Sequence, residues 1–250
     1  MIMALSHHET TLLDFDGIYS TQPELSERAD EWIELADIAG TYLFCAQEAF
    51  QEIRRRLSAR SARGLTFIGN GNYHYVTYAL LCEIDRPFSL ALFDHHSDAR
   101  LSDGRIGLLS CGSWVAEAAA RLPLLRQVHI IGARTDRLAL PPHVSDKIRF
   151  WSEDTSAEQL VSAFLTEHVY ISVDKDVLDR RFAVTNWDHG TMSLRQLTAT
   201  LGRIVRAKNV LGVDVCGELP ASPADAWRSA KQIKRNELTN LAILESVLCA

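Results

Sequence analysis

The stretch Leu90–Arg100, LALFDHHSDAR, constrains what this chain can fold into more than any other. Leu90, Ala91, Leu92 and Phe93 are apolar without a break, the pattern of a strand covered on both faces. Such strands belong to sheets flanked by helices. The run passes directly into Asp94, His95, His96, Ser97 and Asp98. Side chains of an extended segment alternate, so Asp94, His96 and Asp98, spaced by two, point to one side. Carboxylates and an imidazole aimed at one point beyond a buried strand have the chemistry of a metal site.

A lone D-x-H also occurs at ordinary turns, but here the design repeats. Val169–Asp179, VYISVDKDVLD, is a second apolar alternating strand, and it ends in Asp174 and Asp176, again two apart. His74 follows a third apolar segment, within Phe67–Tyr75, FIGNGNYHY. Three strand ends thus supply His74, Asp94, His96, Asp98, Asp174 and Asp176 as candidate ligands. Such a carboxylate-rich set suits manganese or another hard to borderline divalent ion, whereas structural zinc sites favour thiolates. Four aspartates in one place repel one another strongly unless cations match them, so the charge count points to a binuclear centre. Two ions about 3.5–4 Å apart can bridge a water and bring its pKa towards 7, giving hydroxide that attacks an electrophilic carbon. A cationic amidine or guanidine would suit the anionic surroundings.

The remaining elements read as alternating strands and helices. Strands are expected at Thr11–Phe15, Leu65–Gly69, Phe88–Phe93, Gln127–Gly132, Lys147–Trp151, His168–Val173 and Val210–Val215. Helices are expected over Glu24–Leu57, Tyr75–Ile84, Trp114–Leu122, Ser156–Leu165, Leu194–Ala207 and Ala224–Ala250, with Thr155 or Ser156 as a cap. Alternation of this kind predicts a mostly parallel sheet covered on both faces, with sites beyond the carboxyl ends of its strands. Asp214 belongs to the same rim. At 250 residues, with no linker or repeat, a single domain spanning residues 1–250 is expected.

Composition limits the partners. Net charge is −6 with dispersed Lys and Arg, which does not suit nucleic acid or an anionic membrane. No apolar run approaches the ~20 residues of a membrane span, and MIMALSHHETTLLDF lacks the cationic region of a secretory signal. Cys45, Cys82, Cys111, Cys216 and Cys249 are odd in number, scattered and free of C-x-x-C, so a cytoplasmic location is expected. Most read as buried small apolar residues, with Cys111 the one to examine.

The residues resemble the arginase, agmatinase and formimidoylglutamase group of ureohydrolases. The GGDHS-type, D-A-H-x-D and S-x-D-x-D-x-x-D-P segments of that family have counterparts in GNGNYHY, DHHSD and SVDKDVLDR, with order and spacing kept from about Thr66 to Pro220. The resemblance implies a three-layer α/β/α sandwich with about eight strands. It matches His74, Asp94, His96, Asp98, Asp174 and Asp176 to the family's six metal ligands, implying two Mn²⁺ per chain. It assigns to Asp98 the holding of the bridging hydroxide and receipt of its proton, and matches Asp179 to a structural Asp, with Arg180 replacing the usual Pro.

Departures fall on substrate recognition. Where the family has D-x-x-E with a Glu that grips guanidinium, this chain has Asp214-Val215-Cys216-Gly217-Glu218, so either Glu218 substitutes through a bulge or the contact is absent. The arginase H-G segment is matched by Ser110-Cys111-Gly112-Ser113-Trp114, which is similar to the S-G-T of formimidoylglutamases. Arg100, at a position where that branch also tends to have Arg, is a candidate for a substrate carboxylate or a surface cation balancing the acidic cluster. His95 is expected to turn from the metals and pack. Asp188 and His189, in the loop Thr185–Thr191, are candidates for a substrate-amine contact and a replacement proton shuttle.

The expectation is therefore a binuclear metal-dependent hydrolase cleaving a C–N bond of a small guanidino, amidino or formimino compound by metal-bridging hydroxide attack. Rivals are a single-zinc deacetylase-like amidohydrolase and a catalytically silent metal- or ligand-binding relative. Family members self-associate, which makes a homo-oligomer an expectation.

Overall fold

Strand formation follows the apolar runs. The computed structural model describes residues 5–61, 63–101, 109–133, 140–221, 224 and 226–249; part of the loop expected over Arg100–Ser113 lies outside them. Among these residues eight parallel strands form one sheet: β1 (Thr10–Asp14), β2 (Glu31–Glu34), β3 (Leu65–Asn70), β4 (Phe88–Phe93), β5 (Leu125–Ile131), β6 (Ile148–Trp151), β7 (His168–Asp174) and β8 (Asn209–Glu218). Their spatial order is β2-β1-β3-β8-β7-β4-β5-β6. The helices are α1 (Pro23–Ser26), α2 (Gln47–Leu57), α3 (Val76–Leu81), α4 (Trp114–Arg121), α5 (Pro142–Ser145), α6 (Ala157–Ala163), α7 (Leu194–Ala207) and α8 (Ala230–Leu248). None of the described helices is long and apolar enough to cross a membrane.

Alternation along each strand divides the interior in two. In β4, Phe88, Leu90 and Leu92 join the core under α2, α3, α4 and α5, while Ala91 and Phe93 join the core under α1, α6, α7 and α8. The result is the α/β/α sandwich expected from the sequence. All six β4 residues are buried. Truncating one of its leucines would remove packing on a face that cannot collapse, a loss of about 2–5 kcal/mol. Both α6 and α7 begin with capping boxes, Ser156 with Gln159 and Ser193 with Gln196, which satisfy amide groups that the first helical turn leaves open.

One expectation fails. The long helix over Glu24–Leu57 is instead the short α1, the edge strand β2 and α2. In Glu31-Trp32-Ile33-Glu34 the two apolar neighbours fall on opposite faces, as strand geometry requires, burying Ile33 and leaving Trp32 37% exposed. Farther on, Gly40 (φ 77°) and Leu43 (φ 64°) adopt left-handed backbone that no helix accommodates. The C-terminal helix also begins later than expected, at Ala230.

Candidate metal centre

The four central strands, β3, β8, β7 and β4, end side by side, although β8 lies far along the chain from β3. This is the place where an open α/β sheet leaves a crevice. A cleft of about 510 Å³ opens there, lined among others by Asp94, His96, Asp98, Asp174 and Asp176, with Arg100, Cys111, Trp187 and Asp188 around it.

Each ligand candidate is placed by its strand. β3 runs into a short 3₁₀ turn, Gly71–Tyr73, capped by the Asn70 side chain accepting from the Asn72 amide, and this turn delivers His74 beneath the cleft floor. His74 is 1% exposed. Gly71 keeps this corner tight: a Cβ on it would sit 3.0 Å from both Asp174 Oδ2 and the Trp187 ring, crowding a ligand carboxylate. Beyond β4, the Asp94 carboxylate accepts from the His96 amide (2.6 Å), and Asp98 takes left-handed backbone at φ 48°. Asp176 Oδ1 accepts from the His95 amide (3.0 Å), tying the β7 and β4 ends together. Asp174 in turn accepts from the Asp176 amide (3.0 Å).

The six side chains converge. His74 Nδ1 lies 2.9 Å from Asp98 Oδ2, 3.3 Å from Asp94 Oδ2 and 3.6 Å from Asp174 Oδ2. His96 Nδ1 lies 2.8 Å from Asp176 Oδ2 and 3.7 Å from Asp94 Oδ1. Three ligand-type trios share these residues: His74, Asp94 and Asp98; Asp94, His96 and Asp176; and His74, Asp174 and Cys216.

The donor set fits divalent cations. Despite its crowded surroundings, His74 Nδ1 is not aligned for a hydrogen bond, and neither it nor Asp94 Oδ2 has a hydrogen-bond partner among the described residues. Buried polar atoms are rarely left so, because each carries a desolvation penalty of about 1–3 kcal/mol. Several donor atoms that approach one point without bonding one another have the chemistry of a cation site. Charge points the same way. Burial, then Asp98 and Asp176, push the Asp94 carboxyl well above its usual range. Burial and Asp176 raise Asp174 to about 6. Burial alone would depress His96, but Asp176 overrides it and raises the imidazole to about 9. Without a cation the cluster gathers protons; a metal supplies the same positive charge.

Supporting residues hold the ligands. His74 Nε2 meets Ser172 Oγ at 3.0 Å, and Ser172 donates to Asp214 Oδ1 (2.7 Å), which also accepts from Thr77 (3.1 Å). This chain from β8 through β7 orients the ring so that Nδ1 faces the carboxylates. Trp114 Nε1 donates to Asp98 Oδ2 (2.7 Å) and its ring lies 4.9 Å from that of His74.

Other expected site residues fall in several places. Arg100 and Asp188 line the cleft. His95, expected to pack, is half-buried between this cleft and a neighbouring one of about 620 Å³. His189 lines only the neighbouring cleft of these two. Its Nδ1 donates to the Leu178 carbonyl (2.8 Å) and its Nε2 meets the Thr185 amide and hydroxyl (3.2 Å each), so both ring nitrogens are committed to holding the loop. A proton shuttle needs a free nitrogen facing the reaction, and His189 offers none there.

Glu218 is turned away from the cleft. Its carboxylate accepts from Lys175 Nζ, Asn240 Nδ2 (2.7 Å), Gln22 Nε2 (2.8 Å) and Asn236 Nδ2 (3.2 Å) in a fully enclosed network. The cause is Gly217, at φ 90°, where a Cβ would stand 2.5 Å from Asp174 Oδ1. The position that would carry the guanidinium-binding Glu therefore admits only glycine, and the next side chain emerges on the opposite face.

Sequence reasoning missed Cys216. Its Cα is paired across the sheet with Asp174 on one side and Gly69 on the other, between the two strand ends that deliver ligands. Its thiol donates to Asp174 Oδ2 at 3.2 Å. The signal was present: Asp214 and Cys216 repeat the spacing of two seen in Asp94–His96 and Asp174–Asp176.

Comparison with known proteins agrees with this architecture. Residues 15–233 match the model of the arginase family. A Thermotoga maritima protein described as uncharacterized is 33% identical over 237 residues, covering 94% of this chain and 88% of that protein. Among solved structures, arginase from Bacillus subtilis superposes with a TM-score of 0.66 at 16% identity, over 98% of this chain and 99% of that one. Formimidoylglutamase from Bacillus subtilis gives 0.65 at 15% identity, over 100% and 91%. At such identities the superpositions speak for the fold alone.

Proposed function

This chain belongs to the arginase family, and from that premise we propose that it is a binuclear metal-dependent hydrolase cleaving the C–N bond of a small amidino, guanidino or formimino compound. The observation that carries the proposal is that Asp94, His96, Asp98, Asp174 and Asp176 line one cleft, with buried His74 within 2.9–3.6 Å of Asp98, Asp94 and Asp174 and its Nδ1 lacking a hydrogen-bond partner among the described residues. His74, Asp94, His96, Asp98, Asp174 and Asp176 would hold two divalent ions, manganese being suited to such a set. Bound there, the ions supply Lewis acidity and a water that loses its proton near neutral pH.

The chain's own groups do the rest. Asp98, held by Trp114 and lining the cleft, would take the proton of the attacking water and hand it to the leaving amine. Arg100, in the cleft lining, would receive a substrate carboxylate in bidentate fashion. Asp188, also in the cleft lining, would offer a carboxylate to a cationic substrate group, a role that Glu218 cannot fill from its enclosed network. Clusters at both the His74 end and the His96 end favour a pair of ions over the single-zinc alternative.

The test is a metal analysis of purified protein, followed by a screen of arginine, agmatine, guanidinobutyrate, formimidoylglutamate and arginine-containing peptides for released urea, formamide or ammonia. Close to two ions per chain with turnover of one class is the expected result. Full metal loading without turnover of any of them would favour a silent relative.

A further inference from the structure

The His74 end and the His96 end of the cluster differ in one donor. Beside Asp94, His96 and Asp176 every ligand atom is oxygen or nitrogen, whereas His74 and Asp174 share their space with the sulfur of Cys216. Resting on the binuclear reading above, we propose that Cys216 Sγ is a ligand of the ion held by His74 and Asp174, and that it makes this one position selective for zinc and similar thiophilic ions.

The spacing of the donors supports it. Metal–sulfur bonds of about 2.3 Å and metal–nitrogen or –oxygen bonds of about 2.0–2.2 Å, at tetrahedral angles, separate neighbouring donors by roughly 3.3–3.7 Å. Cys216 Sγ lies 3.2 Å from Asp174 Oδ2, and His74 Nδ1 lies 3.6 Å from the same oxygen. All three ligand atoms lie within 4.8 Å of one another. The trio is buried, and His74 Nδ1, aimed into it, has no hydrogen-bond partner among the described residues. Backbone register holds the sulfur there, because Cys216 pairs with Asp174 on β7 and with Gly69 on β3.

Among the described residues the thiol's contacts are with Asp174 and His74, both ligands of the same ion, so binding a metal there displaces no other partner. On binding, the S–H bond breaks, a metal–sulfur bond forms and the proton leaves to solvent. A thiolate then carries the soft character that separates zinc from manganese, while the all-oxygen-and-nitrogen end stays suited to manganese. The pair of ions would then be unlike.

The test uses the full chain, loaded separately with zinc and with cobalt. X-ray absorption at the zinc edge should show a sulfur shell at about 2.3 Å alongside nitrogen and oxygen. The cobalt-loaded protein should show a thiolate-to-cobalt charge-transfer band that vanishes in Cys216→Ser and persists in Cys111→Ser. Because loss of a mere outer-shell partner costs about 10–100-fold in metal affinity, Cys216→Ser should weaken zinc binding by at least tenfold while changing manganese binding far less. Two bound ions with only nitrogen and oxygen shells in the wild type would overturn this proposal and leave the binuclear reading intact. So would a sulfur shell unchanged in Cys216→Ser. A chain that binds no ion would overturn both. The wild-type absorption measurement stands even if the variant does not fold.

Discussion

The end of β7 faces two very different surroundings within three residues. Asp174 and Asp176 point into a cluster that contains four carboxylates and two imidazoles, with buried atoms lacking partners. Lys175, between them, points the opposite way and is fully buried. There it meets Glu218 and Asn240 (2.8 Å), and Asn240 and Gln22 complete the network with a 2.9 Å bond. Burial lowers the Lys175 pKa, with Glu218 opposing. The Lys175 side is fully enclosed and sets one cation against one carboxylate, whereas the cleft side sets four carboxylates against two imidazoles. A buried charge that is paired and hydrogen-bonded is stable in place, while an unpaired set needs an outside partner. The difference identifies the cleft side as the one built to receive cations, and it shows where the carboxylate of Glu218 went.

The largest expected effect is on catalysis at the cleft side. Asp98→Asn keeps an oxygen for Trp114 but removes the base, so turnover should fall by about 10²–10⁴-fold with the melting temperature nearly unchanged. Steady-state kinetics beside thermal denaturation would decide it, and a fully active variant would remove Asp98 from the mechanism.

On the other face the effect should be on stability. Lys175→Met leaves Glu218 buried without its cation and should cost about 3–5 kcal/mol in chemical denaturation. Adding Glu218→Leu to it should recover much of that loss, because removing both charges is far less costly than removing one. If Lys175→Met unfolds no more readily than wild type, the network is not the self-contained pair described here.

The smallest effect separates the two regions by pH. In chelator-treated protein, Asp174 titrates near 6 in the fold against a usual 3.8, so the native state binds more protons than the unfolded chain between those values. The His96 contribution is fully present below 6.5 and is lost as pH rises through about 9. Both terms make stability fall as pH rises. Melting temperatures of the metal-free protein should therefore decline from acid to mildly alkaline pH, and saturating manganese should flatten the decline. A metal-free profile that climbs through this range would contradict the charge assignment.

Much of this was legible in the chain. The buried run into Asp94, His96 and Asp98, and its echo at Asp174 and Asp176, depend only on the alternation of side chains along a strand, a local rule. The capping boxes and the β-α order are local as well. What sequence alone misjudged lies at the join of distant segments: β2 was hidden among residues with helical spacing, and His189 reads like a shuttle until Leu178 and Thr185 are found on its nitrogens.

The amino-acid order by itself therefore determined which residue types stand at the strand ends and which of them share a side, since both follow from a repeat of two along extended backbone. Only the tertiary structure decided that Cys216 sits between β3 and β7, and that Gly217 sends Glu218 to Lys175 instead of the cleft. Cross-strand register and the space left beside Asp174 are set by packing between segments far apart in the chain, and no local pattern encodes them.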